Sequence, residues 1–335
     1  MRVIHLLEHG RPDKVCACVE VDDPGAPADD EVVVEIQAAA INPADLLTIE
    51  GSYPGATELP AVMGIEGAGR VVAAGRAAGS AAGGLAPGDK VISLGRANWA
   101  ERIRVKADAV IEVPQALDIR DAAMLKANPP SAHFMLRDFV DLGPGDWVIQ
   151  NAANSAVGRH VIAFARKRDL RSINVVRRET LIAELEALGA DLVVLDGDDL
   201  GRRVRGEIGA EAPVRLAIDA VGGRACQRLA DCLSDGGTVV NYGFLSGEPC
   251  MITPHHTILH GITLEGFWLR RGFGDMPRAD IEALYADIAR HFIDGTLAVP
   301  VEATYGLEDI GQALAHALRE GRGGKVLLLP QGPID

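Results

Sequence analysis

The sequence predicts an α/β protein in two parts: a mostly β region at the amino end and a doubly wound parallel sheet behind it. Three observations carry that expectation. Short β-rich runs separated by glycine- and proline-rich turns fill the chain up to about Val113, the rhythm changes after Asp118, and strands and helices alternate from Trp147 onward. In the first region Glu31–Ile36, Gly69–Ala74, Asp89–Ser93 and Glu101–Val105 read as strands, and Met1 to Gly10 as a short strand broken by His5, Glu8 and His9. Gly75–Gly88, rich in alanine and glycine, reads as an exposed loop. Arg120–Val140 is helical apart from the N-P-P interruption at Asn128–Pro130, and Trp147–Gln150 opens the parallel sheet. Helix Val157–Arg168, strand Ser172–Val176, helix Leu181–Leu188, strands Asp191–Leu195 and Arg215–Asp219, helix Ala225–Leu233 and strand Gly237–Tyr242 follow. Such a βαβ series demands right-handed crossovers. Strand Thr263–Trp268, helix Ala279–Ile293, strand Val299–Thr304, helix Leu307–Arg319 and strand Lys325–Leu329 close the chain, and their periodicity does not say where they dock.

With 335 residues, 48% of them hydrophobic, the chain buries a sizeable core and is long enough for two domains. The formal charge of −14, without a lysine-arginine run, argues against nucleic acid as a partner. Met1 to Gly10 lacks the apolar core and cleavage site of a signal peptide, and no apolar run reaches bilayer length. The expectation is therefore a cytoplasmic protein with no membrane partner, although the mature start of an imported protein would read the same. Five cysteines, Cys16, Cys18, Cys226, Cys232 and Cys250, contain no C-x-x-C pair and read as small buried side chains in a reducing compartment. The adjacent His255 and His256 lack a four-ligand pattern and read as exposed.

Trp147-Val-Ile-Gln-Asn-Ala-Ala-Asn-Ser-Ala-Val-Gly158 has the strand–turn–helix form in which N–H groups at a helix start hold a pyrophosphate. The usual G-x-G-x-x-G is missing: Ala152 and Ser155 stand at first-turn positions and Gly158 alone is available for close helix–strand packing, so an ordinary βα turn remains open. The second strand ends in Val176-Arg177-Arg178-Glu179, where an acidic residue would serve the ribose of NADH. Two guanidinium forks favour a 2′-phosphate and hence NADPH. The alternative is a solvated arginine pair, with Glu179 left for an NADH ribose.

Ile41-Asn-Pro-Ala-Asp45, Gly51-Ser-Tyr53, Leu59-Pro-Ala61, Gly64-Ile-Glu-Gly67, Asn128-Pro129, Val148-Ile-Gln-Asn-Ala152, Asn154-Ser155, Ile173-Asn-Val-Val-Arg177, Val221-Gly-Gly223 and Gly266-Phe-Trp-Leu269 span nearly the whole chain. In these motifs the sequence resembles the mitochondrial-type trans-2-enoyl-thioester reductases, in the zinc-free, quinone-oxidoreductase-like branch of the medium-chain dehydrogenase/reductase superfamily. The resemblance implies a GroES-like catalytic domain (residues 1–122 and 271–335), a Rossmann-type NADPH domain (residues 123–270), a cleft where substrate and nicotinamide meet, and a homodimer. It further implies cofactor contacts from Asn128, Asn154, Ser155, Ala156, Val157, Arg177, Arg178, Tyr242, Gly243, Phe244, Leu245, Phe267, Trp268, Leu269 and Lys325, and a catalytic Tyr53. Two departures stand out: the family commonly has arginine, another residue and arginine where this chain has Arg177-Arg178-Glu179, and His133 replaces a frequent tyrosine.

Zinc dehydrogenases of the superfamily use a cysteine, the histidine of a G-H-E triple and a further ligand. Here Asn42 and Ile65 occupy those regions and Glu66 has no imidazole or thiolate beside it, so no metal is expected. The implied chemistry is hydride delivery to the β-carbon of a 2-enoyl thioester and protonation at the α-carbon by Tyr53, a phenol whose ordinary pKa near 10 keeps it protonated at neutral pH. Read without the family motif, a loop tyrosine between Gly51 and Pro54 more often packs an edge than catalyses, and only the motif reverses that. Asn42 and Asn128 are expected helpers orienting carbonyl, tyrosine or nicotinamide; asparagine before proline is also an ordinary turn device. Arg270 and Arg271 are candidates for the phosphates of the acyl carrier, against a solvated surface reading. Quinone or small-enone reduction, and a non-catalytic NADPH sensor, remain the competing readings.

Overall fold

Strand formation in Glu31–Ile36 continues to Ala40, because Ala38, Ala39 and Ala40 are fully buried and small enough to let neighbouring layers close over them. The computed structural model describes residues 1–55, 58–80, 84–209 and 211–334, and Glu31–Ala40 is the spine of the first of its two units, residues 1–127 with 277–335. The sheet around this strand runs Val301–Tyr305, Lys325–Leu328, Glu31–Ala40, Gly67–Ala74, Lys90–Ser93, Val110–Glu112, with Arg102–Lys106 also paired to Glu31–Ala40. The chain's last strand thus lies antiparallel to the spine, Leu327 opposite Ala40 and Leu328 opposite Ala39. Cys16–Glu20, Arg2–Leu6 and Ala61–Val62 form a smaller sheet. Ile4, Leu6, Ile36, Val91, Val326 and Leu328 pack with Trp99 in one core, each of the aliphatic side chains contributing about 1.5–3 kcal/mol over exposure.

The second unit, residues 128–276, contains an all-parallel sheet ordered Leu192–Leu195, Arg171–Val176, Trp147–Gln150, Val214–Asp219, Thr238–Asn241, Thr263–Gly266. Numbered by sequence this is 3-2-1-4-5-6, a doubly wound order in which a ligand crevice lies beyond the carboxyl ends of the central strands.

Several expectations need correction. Asn128-Pro129-Pro130 begins a helix, Asn128–Asp138, instead of interrupting one, since a first turn needs no proline N–H; the preceding helix is only Ile119–Ala122. A helix, Leu200–Ile208, separates two strands expected to follow one another: Leu200 and Val204 bury one face of a segment whose arginines masked the four-residue spacing. Gly75–Gly88 is not simply an exposed loop, because Arg76–Ser80 is helical and Ala78 and Leu85 are buried; residues 81–83 lie outside the described residues. The strand expected over Thr263–Trp268 ends at Gly266, and Leu269–Phe273 is a short helix. His256, expected to be exposed, is buried, its ring bonded to Asp231 and Thr253. All five cysteines are free, two of them buried and three half-buried. Among the described residues no helix is long and apolar enough to cross a membrane.

Candidate active site

In the second unit, strand Trp147–Gln150 passes through a tight turn into helix Ala156–Lys167. Ala152 adopts a left-handed φ of 47°, a conformation that costs an alanine about 1–2 kcal/mol and that glycine usually supplies. Ser155 caps the helix, its Oγ accepting from Gly158 N at 3.1 Å. Gly158 is sterically required: a Cβ there would stand 2.4 Å from Ala153 O. The missing glycine signature is thereby explained, since two of its positions are met by a strained alanine and a capping serine. Asn154, Ser155 and Ala156 are half-buried around the helix start, while Val157 is buried.

The turn is braced from below. Gln150 donates to Gly158 O at 2.8 Å and to Asn174 Oδ1 at 2.7 Å, joining the first two strands through buried amides. Asp219, fully buried at the end of strand Val214–Asp219, accepts from Asn151 Nδ2 (2.5 Å), Asn241 Nδ2 (2.8 Å) and the N–H groups of Val221 and Gly222. It thereby ties together the ends of three strands and the Gly222-Gly223 turn. Sequence reasoning passed over Asp219 and Gln150; an aspartate three residues before a Gly-Gly pair was the available signal. Tyr242–Leu245 runs beside residues 219–220, with Tyr242 N donating to Asp219 O and Leu245 N to Ala220 O, and a Cβ on Gly243 would meet Ala220 O at 2.7 Å. The Tyr242 hydroxyl bonds Ser155, but desolvation outweighs that contact and pushes its pKa up. Arg177 and Arg178 are exposed just past strand Arg171–Val176. Phe267, Trp268 and Leu269 are half-buried, and the exposed Arg270 lies over the Trp268 ring at 5.9 Å.

The first unit holds a cluster of buried polar side chains. Asn42 precedes helix Pro43–Ile49; its Nδ2 donates to Glu66 Oε1 at 2.7 Å, and its Oδ1 accepts from Lys325 Nζ. Lys325 Nζ is also 4.0 Å from Glu66 Oε1, and Glu66 Oε2 accepts from Ala127 N at 3.1 Å. Asn42 and Lys325, named from opposite ends of the sequence, therefore meet; Lys325 is 7% exposed and its pKa is lowered by burial, against the pull of Glu66 and Asp45. Asp45, fully buried, accepts from Asn42 N (2.8 Å) and Ile65 N (2.9 Å), and burial lifts its pKa to about 7 despite both bonds. Lys126 Nζ donates to Ile65 O and Gly95 O, each at 2.5 Å, and desolvation lowers its pKa to about 8. Glu66, Asp45 and Lys126 were not recognised as parts of one cluster, because their partners are distant in sequence. Tyr53 is half-buried in the turn after helix Pro43–Ile49, with the Arg96 guanidinium 5.6 Å from its ring centroid. Asn128 is the half-buried first residue of its helix, and Arg271 is exposed in Leu269–Phe273.

Residues 28–115 match the alcohol dehydrogenase GroES-like domain and residues 156–286 the zinc-binding dehydrogenase domain. The mitochondrial enoyl-[acyl-carrier-protein] reductase of Caenorhabditis elegans is 38% identical over 300 residues, covering 87% of this chain and 84% of that protein. The chain belongs to the enoyl-reductase branch of the medium-chain dehydrogenase/reductase superfamily. It is an oxidoreductase with a GroES-like part and a Rossmann-type parallel sheet. Among solved structures, a protein described as an NADPH:quinone reductase from Bacillus thuringiensis superposes with a TM-score of 0.88 at 27% identity, covering 98% of each chain. Etr1p, an enoyl thioester reductase of Candida tropicalis solved with NADP and crotonyl-CoA, superposes at 0.84 with 26% identity over 98% of this chain and 99% of its own.

These relatives overturn one expectation. The curated enoyl reductases from worm, rat and human are mitochondrial proteins by name, so the cytoplasmic placement is withdrawn. That placement rested on the missing signal-peptide pattern in Met1 to Gly10 and the missing bilayer-length run, and such absences do not assign a compartment.

The zinc of the dehydrogenase domain's description does not fit the residues present. Where a metal would need thiolate or imidazole, Asn42 and Glu66 are joined by the Lys325 ammonium, which would repel a second cation. Elsewhere among the described residues Asp219, Cys226 and Cys250 have ligand atoms within 4.8 Å of one another. Both Asp219 oxygens are already engaged by donors, however, and burial pushes both thiols up, away from the ligating thiolate.

Proposed function

We propose that this reductase uses NADPH to reduce the carbon–carbon double bond of a 2-enoyl thioester carried on coenzyme A or acyl-carrier protein. The observation that carries the reading is its likeness, along most of the chain, to the worm enoyl-[acyl-carrier-protein] reductase, supported by Etr1p, solved with NADP and crotonyl-CoA. The residues present fit the dinucleotide. The helix start at Asn154, Ser155, Ala156 and Val157 is assigned to the pyrophosphate, and Gly158 lets that helix lie close against Ala153. Arg177 and Arg178 offer guanidinium forks for the 2′-phosphate. Tyr242, Gly243, Phe244 and Leu245, with Phe267, Trp268, Leu269, Asn128 and Lys325, are assigned to the nicotinamide end. Bound NADPH supplies the hydride that reaches the β-carbon.

The remaining work falls to this chain's side chains. The Tyr53 hydroxyl hydrogen-bonds the thioester carbonyl oxygen as negative charge develops there and delivers the proton to the α-carbon. Asn128 helps orient the reacting groups, whereas the amide of Asn42, fixed at both atoms by Glu66 and Lys325, is assigned a positioning role. Arg270 and Arg271 are assigned to the phosphates of the carrier.

Turnover of crotonyl-CoA by wild type and Tyr53→Phe, with NADPH and with NADH, tests this. Expected are saturable turnover, a preference for NADPH, and a fall of about 100-fold or more in the variant. Failure with crotonyl-CoA but activity with quinones would instead select the chemistry of the Bacillus thuringiensis neighbour's description and remove Tyr53 from its role.

A homodimer is part of the proposal. The edge strand Thr263–Gly266 is exposed along its length, and Ile258 and Leu259 beside it are 76% and 67% exposed. Sedimentation velocity should show a dimer that Leu259→Glu converts to monomer; a monomeric wild type would sink the idea.

A further inference from the structure

Tyr53 sits in a short turn whose start is tied to the preceding helix: Gly51 N donates to Thr48 O, and Ser52 bonds Leu47 O through both its N–H and its hydroxyl. The other half of the turn is gripped from a different part of the unit. Arg96 Nη1 donates to Pro54 O at 2.6 Å while the same guanidinium lies over the Tyr53 ring, 5.6 Å from its centroid. Arg96 is itself exposed, yet the backbone that carries it is fixed. Gly95 O accepts from Lys126 Nζ at 2.5 Å and from Asn98 Nδ2 at 2.9 Å, and Gly95 N donates to Ser93 Oγ at 3.1 Å. Gly55, next to Pro54, leaves room for the arginine, since a Cβ there would stand 2.8 Å from Arg96 Nη1.

We propose that Arg96 is the positioning residue of the tyrosine turn: one guanidinium holds the loop backbone and the phenol face together. The inference rests on Tyr53 being the acid. A cation over the ring is attracted by its π face, and an acid displaced by an ångström loses rate far out of proportion to the contact removed. Arg96 touches neither substrate nor cofactor in this assignment, so its effect must pass through Tyr53.

A double-mutant cycle decides the matter. Arg96→Ala is expected to lower kcat with crotonyl-CoA roughly tenfold to a hundredfold while KM and the melting temperature change little. In a Tyr53→Phe background, Arg96→Ala should have no further effect. Added guanidinium should restore part of the rate to Arg96→Ala alone and none to the double variant. Gly55→Ala, which displaces the guanidinium without deleting it, should move kcat in the same direction by less. Equal losses in both backgrounds, or a wild-type kcat in Arg96→Ala, overturn the proposal while leaving Tyr53 in place. A wild-type rate in Tyr53→Phe alone withdraws the assigned acid and this inference with it.

Discussion

The two units organise their chemistry in opposite ways. In residues 128–276 the candidate cofactor turn is made of backbone: a left-handed Ala152, a helix start capped by Ser155, and a glycine pressed against Ala153 O. In residues 1–127 with 277–335 the corresponding region is made of polar side chains: Asn42, Glu66 and Lys325 bond or pair with one another, while Asp45 and Lys126 are held by backbone N–H and carbonyl groups around them. A backbone device fails when volume is added. A buried ionic device fails when one partner is removed. The difference says which kind of substitution each unit tolerates.

The largest expected effect is on the charged side. Glu66→Leu leaves the Lys325 ammonium without its carboxylate and should cost about 3–5 kcal/mol in a denaturant titration. Hydrogen exchange should then rise at 31–40 and 325–328 while 147–150 keeps its protection; equal loss in both regions would break the comparison. Next comes Gly158→Ala, whose Cβ collides with backbone. It should cost about 1–3 kcal/mol and weaken NADPH binding at least tenfold by calorimetry, roughly 1.4 kcal/mol of affinity. Unchanged affinity would mean that the helix start can retreat without touching the ligand. A further effect, on the charged side again, is a pH slope. Because the folded chain lifts the Asp45 pKa to about 7 from 3.8, it holds a proton that the unfolded chain releases. That contribution to stability is complete below about pH 4 and is lost as pH climbs through 7. Melting temperatures between those values should fall less steeply with pH in Asp45→Asn than in wild type, and identical slopes would remove Asp45 as the source.

What could be read in advance followed the same division. The parallel sheet was legible because Trp147–Gln150, Arg171–Val176 and Val214–Asp219 are short, mostly buried runs centred on aliphatic residues and alternating with helical segments, a pattern that is local in sequence. The helix Leu200–Ile208 was missed because three arginines dominate its composition while only two of its large side chains are buried. Tyr53, Asn42 and Lys325 were legible as site candidates only through family motifs. Their surroundings were not, because Lys325 meets Asn42 across 283 positions and Arg96 reaches Pro54 across 42. No window of sequence contains such a contact. Asp219 was overlooked for the same reason: three of its donors come from strands or turns that periodicity treats as separate.

The strand Lys325–Leu328 completes a sheet whose spine, Glu31–Ala40, was made almost three hundred residues earlier. During synthesis the contiguous 128–276 unit has every residue it needs while the first unit is still waiting for the strand Lys325–Leu328 and for the lysine that meets Asn42 and Glu66. A nascent chain must therefore carry an unfinished sheet edge, and a Glu66 still without its ammonium neighbour, until residues 325–328 have been made.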